Sequence, residues 1–100
     1  MVKHIILWNL HEDLSESEKA EVKQNARAGL ESLKGKIEGL TEIKVITECF
    51  PSSNSDMMLY SEFVSFEALK CYAANPEHNR IADTYVRPFT AKRSCFDFEE

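Results

Sequence analysis

The chain divides into stretches whose apolar residues recur at two different periods. Residues 2–10 read VKHIILWNL, rich in β-formers and poor in polar positions. At the two-residue period of a strand, His4, Ile6, Trp8 and Leu10 share one face, and Ile5 and Leu7 share the other. A strand that is apolar on both faces has to be covered on both. The helices of one small domain cover only one face, so this segment predicts a second copy of the chain.

Ser15 and Glu18 then form an S-x-x-E capping box. Val22, Ala26, Leu30, Leu33 and Ile37 follow at spacings of three and four, the apolar stripe of a helix of about six turns. Lys19, Glu21, Lys23, Arg27 and Glu31 fall largely off the stripe and form its solvated face. Gly35 and Gly39 bracket its end, where a left-handed residue closes a helix without a Cβ clash.

Residues 41–50 alternate again, with Ile43, Val45 and Thr47 set against Lys44, Ile46 and Glu48, and predict a second strand. Pro51-Ser52-Ser53-Asn54-Ser55 is a loop, because these residues offer the backbone local hydrogen bonds in place of a ladder. Residues 57–64 form the third strand, a hairpin partner of the second. A short helix over 66–74 turns Phe66, Leu69, Tyr72 and Ala73 inward, and Pro76 breaks it. A further helical stretch over 77–85 sets Ile81 and Tyr85 four apart, and Pro88 stops it. In the last strand, residues 92–98, Phe96 and Phe98 share one face and Cys95 and Asp97 the other.

The order β-α-β-β-α-β, with the second helix split at Pro76, predicts an α+β ferredoxin-like fold. Its four-stranded antiparallel sheet carries helices on one face, in a single domain over residues 1–100. The bare face carries Ile5, Leu7, Ile46, Tyr60, Glu62 and the aromatic residues of the last strand. Such a patch is large for a monomer. Two sheets packed face to face would bury it as a dimeric α/β barrel, an obligate homodimer with an interface of about 2,000 Å².

Composition narrows the function classes. Lys and Arg number 12 and Asp and Glu 17, a formal charge of −5, which opposes the basic footprint of a nucleic-acid binder. The opening apolar run is too short to cross a bilayer and lacks the basic start and small-residue site of a secretory signal, so the expected setting is cytoplasmic, with no membrane partner. Cys49, Cys71 and Cys95 are odd in number and widely spaced. They predict reduced, mostly buried thiols and neither a disulfide framework nor a metal knuckle. No glycine-rich phosphate loop, Walker motif or G-x-S-x-G elbow occurs.

Three stretches resemble one known family, the stress-responsive dimeric α/β-barrel (Dabb) domain. Val2-Lys3-His4-Ile5-Ile6-Leu7 is similar to its opening V-x-H-hydrophobic strand. Leu30-x-x-Leu33 leads into Ile37-Glu38-Gly39-Leu40, where the family usually has I-P-G. Tyr72-Ala73-Ala74-Asn75-Pro76-Glu77-His78 is similar to its Y-x-x-H-P-x-H run, and Cys95-Phe96-Asp97-Phe98 to its last strand with an aspartate. The resemblance spans nearly the whole chain and implies a dimer. A plant branch contains polyketide cyclases, whose pocket between helices and sheet is lined by residues matching His4, Tyr72 and His78. Two positions depart from that branch: Met57 stands at the place of a third-strand histidine, and Asn75 at the place of the penultimate histidine.

These positions carry the candidate chemistry. A neutral imidazole exchanges a proton near neutral pH, and a placed tyrosine hydroxyl holds an enolate oxygen. The expected catalytic roles are His78 as base, Tyr72 as orienting donor or acceptor and His4 as hydrogen-bond donor. Ile6, Trp8, Met57, Leu59 and Ile81 are expected to line the ligand pocket. The plainer reading of both histidines is structural: His78 bonds a loop carbonyl and His4 satisfies itself at the seam between sheet and helices. His11 is solvated, Cys71 is helix packing, and Met57 and Met58 are core.

No metal is expected, since His4, His78 and a cysteine share no ligand spacing, and no cofactor is expected. The function that results is a stress-responsive dimeric α/β-barrel protein that binds or acts on a small hydrophobic or aromatic molecule. The alternatives are a cofactor-free cyclase or monooxygenase-type enzyme, and a non-catalytic structural, stress-protective dimer. If Trp8 and Met57 fill the space beside His78 and leave no cavity of about 300 Å³, the ligand and enzyme readings fall and the structural alternative stands.

Overall fold

The computed structural model describes residues 1–100. Strand β1 (Val2–Leu10) is followed by α1 (Glu16–Glu31), β2 (Leu40–Ile46) and β3 (Met57–Phe63). Then come α2 (Phe66–Ala74), α3 (Pro76–Tyr85), a 3-10 turn (Arg87–Phe89) and β4 (Thr90–Glu99). The strands form one antiparallel sheet in the order β2-β3-β1-β4, so the doubly apolar β1 is interior and β4 is an edge. The predicted ferredoxin-like architecture is present, and no helix is long and apolar enough to cross a membrane.

Register decides what meets what. His4 stands opposite Ser61 on β3 and Asp97 on β4, Ile6 opposite Leu59 and Cys95, and Trp8 opposite Met57 and Arg93. Directly paired residues point to the same side of a sheet, so Arg93, Cys95 and Asp97 share the helix-covered side with the even residues of β1. There Ile6, Trp8, Leu59 and Phe63 pack with Ala26, Leu30 and Leu33, all buried.

The helices start where the sequence places caps. Ser15 and Glu18 close a reciprocal capping box at α1. Asn75 serves twice, as the C-cap of α2 and as the N-cap of α3, its side-chain oxygen accepting from the N–H groups of Glu77 and His78. Pro76 therefore opens a helix, at the first position, where its missing N–H costs nothing.

Several expectations are corrected. Helix α1 ends at Glu31, well short of six turns, although Leu33 and Ile37 remain buried in the turns that follow. The left-handed Gly35 and Gly39 (φ +83° and +84°) steer those turns back to the core. Strand β2 ends at Ile46, not Phe50, because β3 begins at Met57 and offers residues 47–50 no ladder; Phe50 is 82% exposed. Phe66 is exposed, not inward: it opens α2 beyond the rim of the core, with the Lys70 ammonium 5.8 Å from its ring centre. Ala73 is exposed as well.

The three thiols are exposed, not buried. Cys49 lies in the unpaired segment after β2. Cys71 projects from α2 roughly opposite Leu69. Cys95 lies on the edge strand beyond helix cover.

The other face of the sheet has no covering layer. Leu7 is 37%, Ile46 38% and Phe96 67% exposed. Near the other end of β1, Lys3 reaches Tyr60 and Glu62 at 3.2 Å each.

The two left-handed glycines allow a paired test. A Cβ at Gly39 would lie 2.5 Å from that of Ala68, whereas one at Gly35 meets nothing within 4 Å. Both alanine substitutions carry the left-handed penalty of about 1–2 kcal/mol; Gly39→Ala adds about 1–3 kcal/mol of overpacking. Urea denaturation is expected to rank Gly39→Ala clearly below Gly35→Ala.

Candidate functional site

The site lies between the sheet and the α2–α3 junction. Phe63 and Tyr72 pack at 5.1 Å between ring centres, His4 lies 6.1 Å from Tyr72, and His78 stacks on Tyr72 at 4.1 Å with a 38° tilt. The double cap at Asn75 makes this stack, since it fixes where α3 starts and therefore where His78 stands over the last turn of α2.

A cavity of about 160 Å³ adjoins the stack. His4, Tyr72 and His78 all line it, so the structure brings the three candidate residues together. Of the five expected pocket residues, Ile6, Trp8 and Leu59 line it. Met57 and Ile81 do not. Met57 belongs to a separate hollow of about 270 Å³ beside the loop through Ser53–Asp56, and Ile81 is directed at Gly29 on α1. The cavity is smaller than the mark of about 300 Å³ and Trp8 lines it, but Met57 does not fill it, so the condition for the structural alternative is met only in part. The cavity still matches one ring, since an apolar cavity of about 150 Å³ accepts benzene.

Two residues that line this cavity each hold a buried polar atom with no partner: the Tyr72 hydroxyl and Nδ1 of His78. Leaving such an atom unsatisfied costs about 1–3 kcal/mol. His4 differs: Asp97 Oδ1 accepts a hydrogen bond from its Nδ1 at 2.5 Å. That bond leaves Nε2 as the free ring nitrogen. The carboxylate comes from the facing position on β4, a pairing that follows once β1 and β4 are adjacent and in register.

Burial governs the charge states. The His78 ring is pushed down to about 4, first by burial and then by the charges of Arg87, His4 and Arg93. It is a neutral imidazole at neutral pH. Burial raises the Tyr72 phenol far above its ordinary value, against the pull of Arg93 and Arg87, so it stays a donor. Burial, followed by the Asp97 charge, also raises the Cys95 thiol and makes it a poor nucleophile.

The rim holds residues that the sequence pattern did not mark, Arg87 and Arg93. No local motif distinguishes them, and only the pairing of β4 with β1 places Arg93 beside Trp8. For metals, the compact donor set is His4, Cys95 and Asp97, whose ligand atoms lie within 4.8 Å of one another. The His4–Asp97 hydrogen bond already uses one donor atom from each of those two residues.

The family model of the stress responsive A/B barrel domain matches residues 2–100. The chain belongs to this family. Among solved structures it is similar to a dimeric protein of unknown function with a ferredoxin-like fold from Bacteroides fragilis, 32% identical, with a TM-score of 0.92 over 99% of this chain and 95% of that one. A protein from Arabidopsis thaliana is 20% identical, with a TM-score of 0.76 over 100% and 95% of the two chains. The hydroxynitrile lyase of Passiflora edulis is 18% identical, with a TM-score of 0.71 over 97% and 90%. The last two likenesses show the fold alone. No curated protein matches the chain.

The depressed His78 value sets a pH window. Protonation favours the unfolded chain, so the stability His78 carries is complete above 6.5 and is lost as pH falls from 6.5 to about 4. Urea midpoints measured across that window should fall less steeply for His78→Gln than for the parent protein.

Proposed function

We propose that the protein binds one small apolar or aromatic molecule, about one ring in size, in the cavity lined by His4, Tyr72 and His78. The observation that carries this reading is the pair of unpartnered buried atoms, the Tyr72 hydroxyl and His78 Nδ1, on two residues that line one cavity. A purely structural stack would be better served by phenylalanine, which fills the same space with no polar atom to satisfy. The apolar walls of Ile6, Trp8 and Leu59 select the body of the ligand, and the two polar atoms fix its orientation.

The functional unit in this reading is a homodimer. Its support is the open apolar face of the sheet, together with the dimeric state named for the Bacteroides fragilis relative. A cytosolic setting belongs to the same reading and suits three free thiols.

A second reading, a cofactor-free enzyme working by proton transfer, draws on the His4–Asp97 hydrogen bond. With Nδ1 donating to the carboxylate, Nε2 of His4 has a lone pair for a proton next to a carbonyl, and the Tyr72 hydroxyl can donate to the enolate oxygen. His78, with its pKa near 4, is a weak base at neutral pH. This exchanges the roles expected for the two histidines.

Single-ring fragments test the binding reading by thermal shift. Ligand at a hundred times Kd stabilises by about 2.7 kcal/mol, and both Tyr72→Phe and His78→Ala should weaken binding while the chain stays folded. If no fragment stabilises the parent protein, or if His78→Ala unfolds it, the structural alternative takes its place. Sedimentation tests the dimer: the species at micromolar concentration should have twice the mass of the 11.5 kDa chain, and Phe96→Asp should halve it. A parent protein sedimenting as a single chain would remove the dimer.

A further inference from the structure

We infer that the ligand of this cavity is an anion, a small aromatic or apolar carboxylate whose charge is met by Arg93 at the rim. The inference rests on the cavity reading above and adds to it the class of the ligand.

Charge at the cavity has one sign. The only permanently charged side chains that line it are Arg87 and Arg93, and no Asp or Glu lines it. This runs against the composition, since acidic residues outnumber basic ones by 17 to 12 along the chain. The nearest carboxylate on that side of β4, Asp97, is bonded to His4 Nδ1.

The two arginines are not equivalent. Arg87 is committed: its guanidinium donates to Asp83 at 2.5 Å and to Asn79 at 3.2 Å. Arg93 forms no salt bridge, unlike most of the other basic side chains, which pair with acids. An arginine whose planar fork holds no carboxylate of the chain, beside an apolar cavity, matches a ligand carboxylate in geometry as well as charge.

The interior completes the match. The Tyr72 hydroxyl is a buried donor without an acceptor. A ligand carboxylate at the Arg93 rim, with its ring against Trp8 and Leu59, offers acceptors both to the guanidinium and, directly or through one water, to the hydroxyl. The positive field of both arginines reaches the inner groups, because it opposes protonation of His78 and favours the ionised form of Tyr72. A neutral ligand would gain the apolar contacts and a hydrogen bond from Tyr72, without the charge pairing.

Benzoate and its neutral counterpart benzamide separate these cases, measured as dissociation constants by calorimetry or NMR titration on the full chain. Benzoate is expected to bind about tenfold more tightly, as for one partly solvated charge-assisted hydrogen bond. Arg93→Gln should remove most of that preference, while Arg27→Gln, on the solvated face of α1, should leave it intact. Equal affinity for the two probes would overturn the anion inference and leave the cavity reading standing. A preference that survives Arg93→Gln would overturn the assignment to Arg93. Binding of neither probe at millimolar concentration would overturn the inference, and if other single-ring fragments also fail, the cavity reading falls with it.

Discussion

Strand β1 is interior to the sheet and apolar on both faces, and the rest of the molecule is arranged around that constraint. Its even residues meet the core built by α1, α2 and α3, and its odd residues meet no layer of the same chain. Burial of apolar surface contributes roughly 25 cal/mol per Å², so the exposed parts of Leu7, Ile46 and Phe96 represent stabilisation that one chain leaves unused. A second sheet placed against the first recovers it, and the edge position of β4 leaves the aromatic pair Phe96 and Phe98, 5.6 Å apart, available for that contact.

The same geometry produces a half-open site. The helices cover β1, β2 and β3 fully and the edge strand β4 poorly. Residues on the covered side of β4 therefore point toward the core yet remain exposed, as Arg93, Cys95 and Asp97 do. A buried histidine on β1 thus gains a solvated carboxylate, and a buried tyrosine on α2 gains a cationic rim. Protein interiors rarely tolerate unpaired polar atoms, and the two on Tyr72 and His78 are the ones the proposed ligand would satisfy.

Much of the fold was legible in the chain because it is written in local chemistry. The period-two pattern of β1 and the Ser15–Glu18 box act within a few residues and appear where expected; Gly35 and Gly39 are left-handed as expected, but in the turns after α1 rather than at its end. Errors arose where tertiary pairing decides. Thr47 to Phe50 alternate like a strand but have no ladder partner, and Phe66 has the right spacing for burial but lies beyond the rim of the core. The site was legible in part: His4, Tyr72 and His78 carry a family pattern, whereas Asp97 as the partner of His4, and Arg93 as a rim residue, depend on the β1–β4 register. The cysteines misled because a small apolar side chain on an edge strand or an outer helix face has no layer to be buried under.

Strand β1 also explains how the proposed binding and assembly could coexist in so short a chain. Alternation assigns Lys3, Ile5 and Leu7 to the open face and His4, Ile6 and Trp8 to the cavity side, so neighbouring residues serve opposite sides of one sheet. A one-residue slip in register would exchange the two sets and abolish both surfaces together. The register is held on either side: β3 supplies Ser61, whose hydroxyl donates to the His4 carbonyl at 3.1 Å, and β4 supplies Asp97, which accepts from the His4 ring. His4 is therefore bonded through its backbone on one flank and its side chain on the other, and the bonds that present its ring to the cavity also keep Ile5 and Leu7 on the face proposed for the partner.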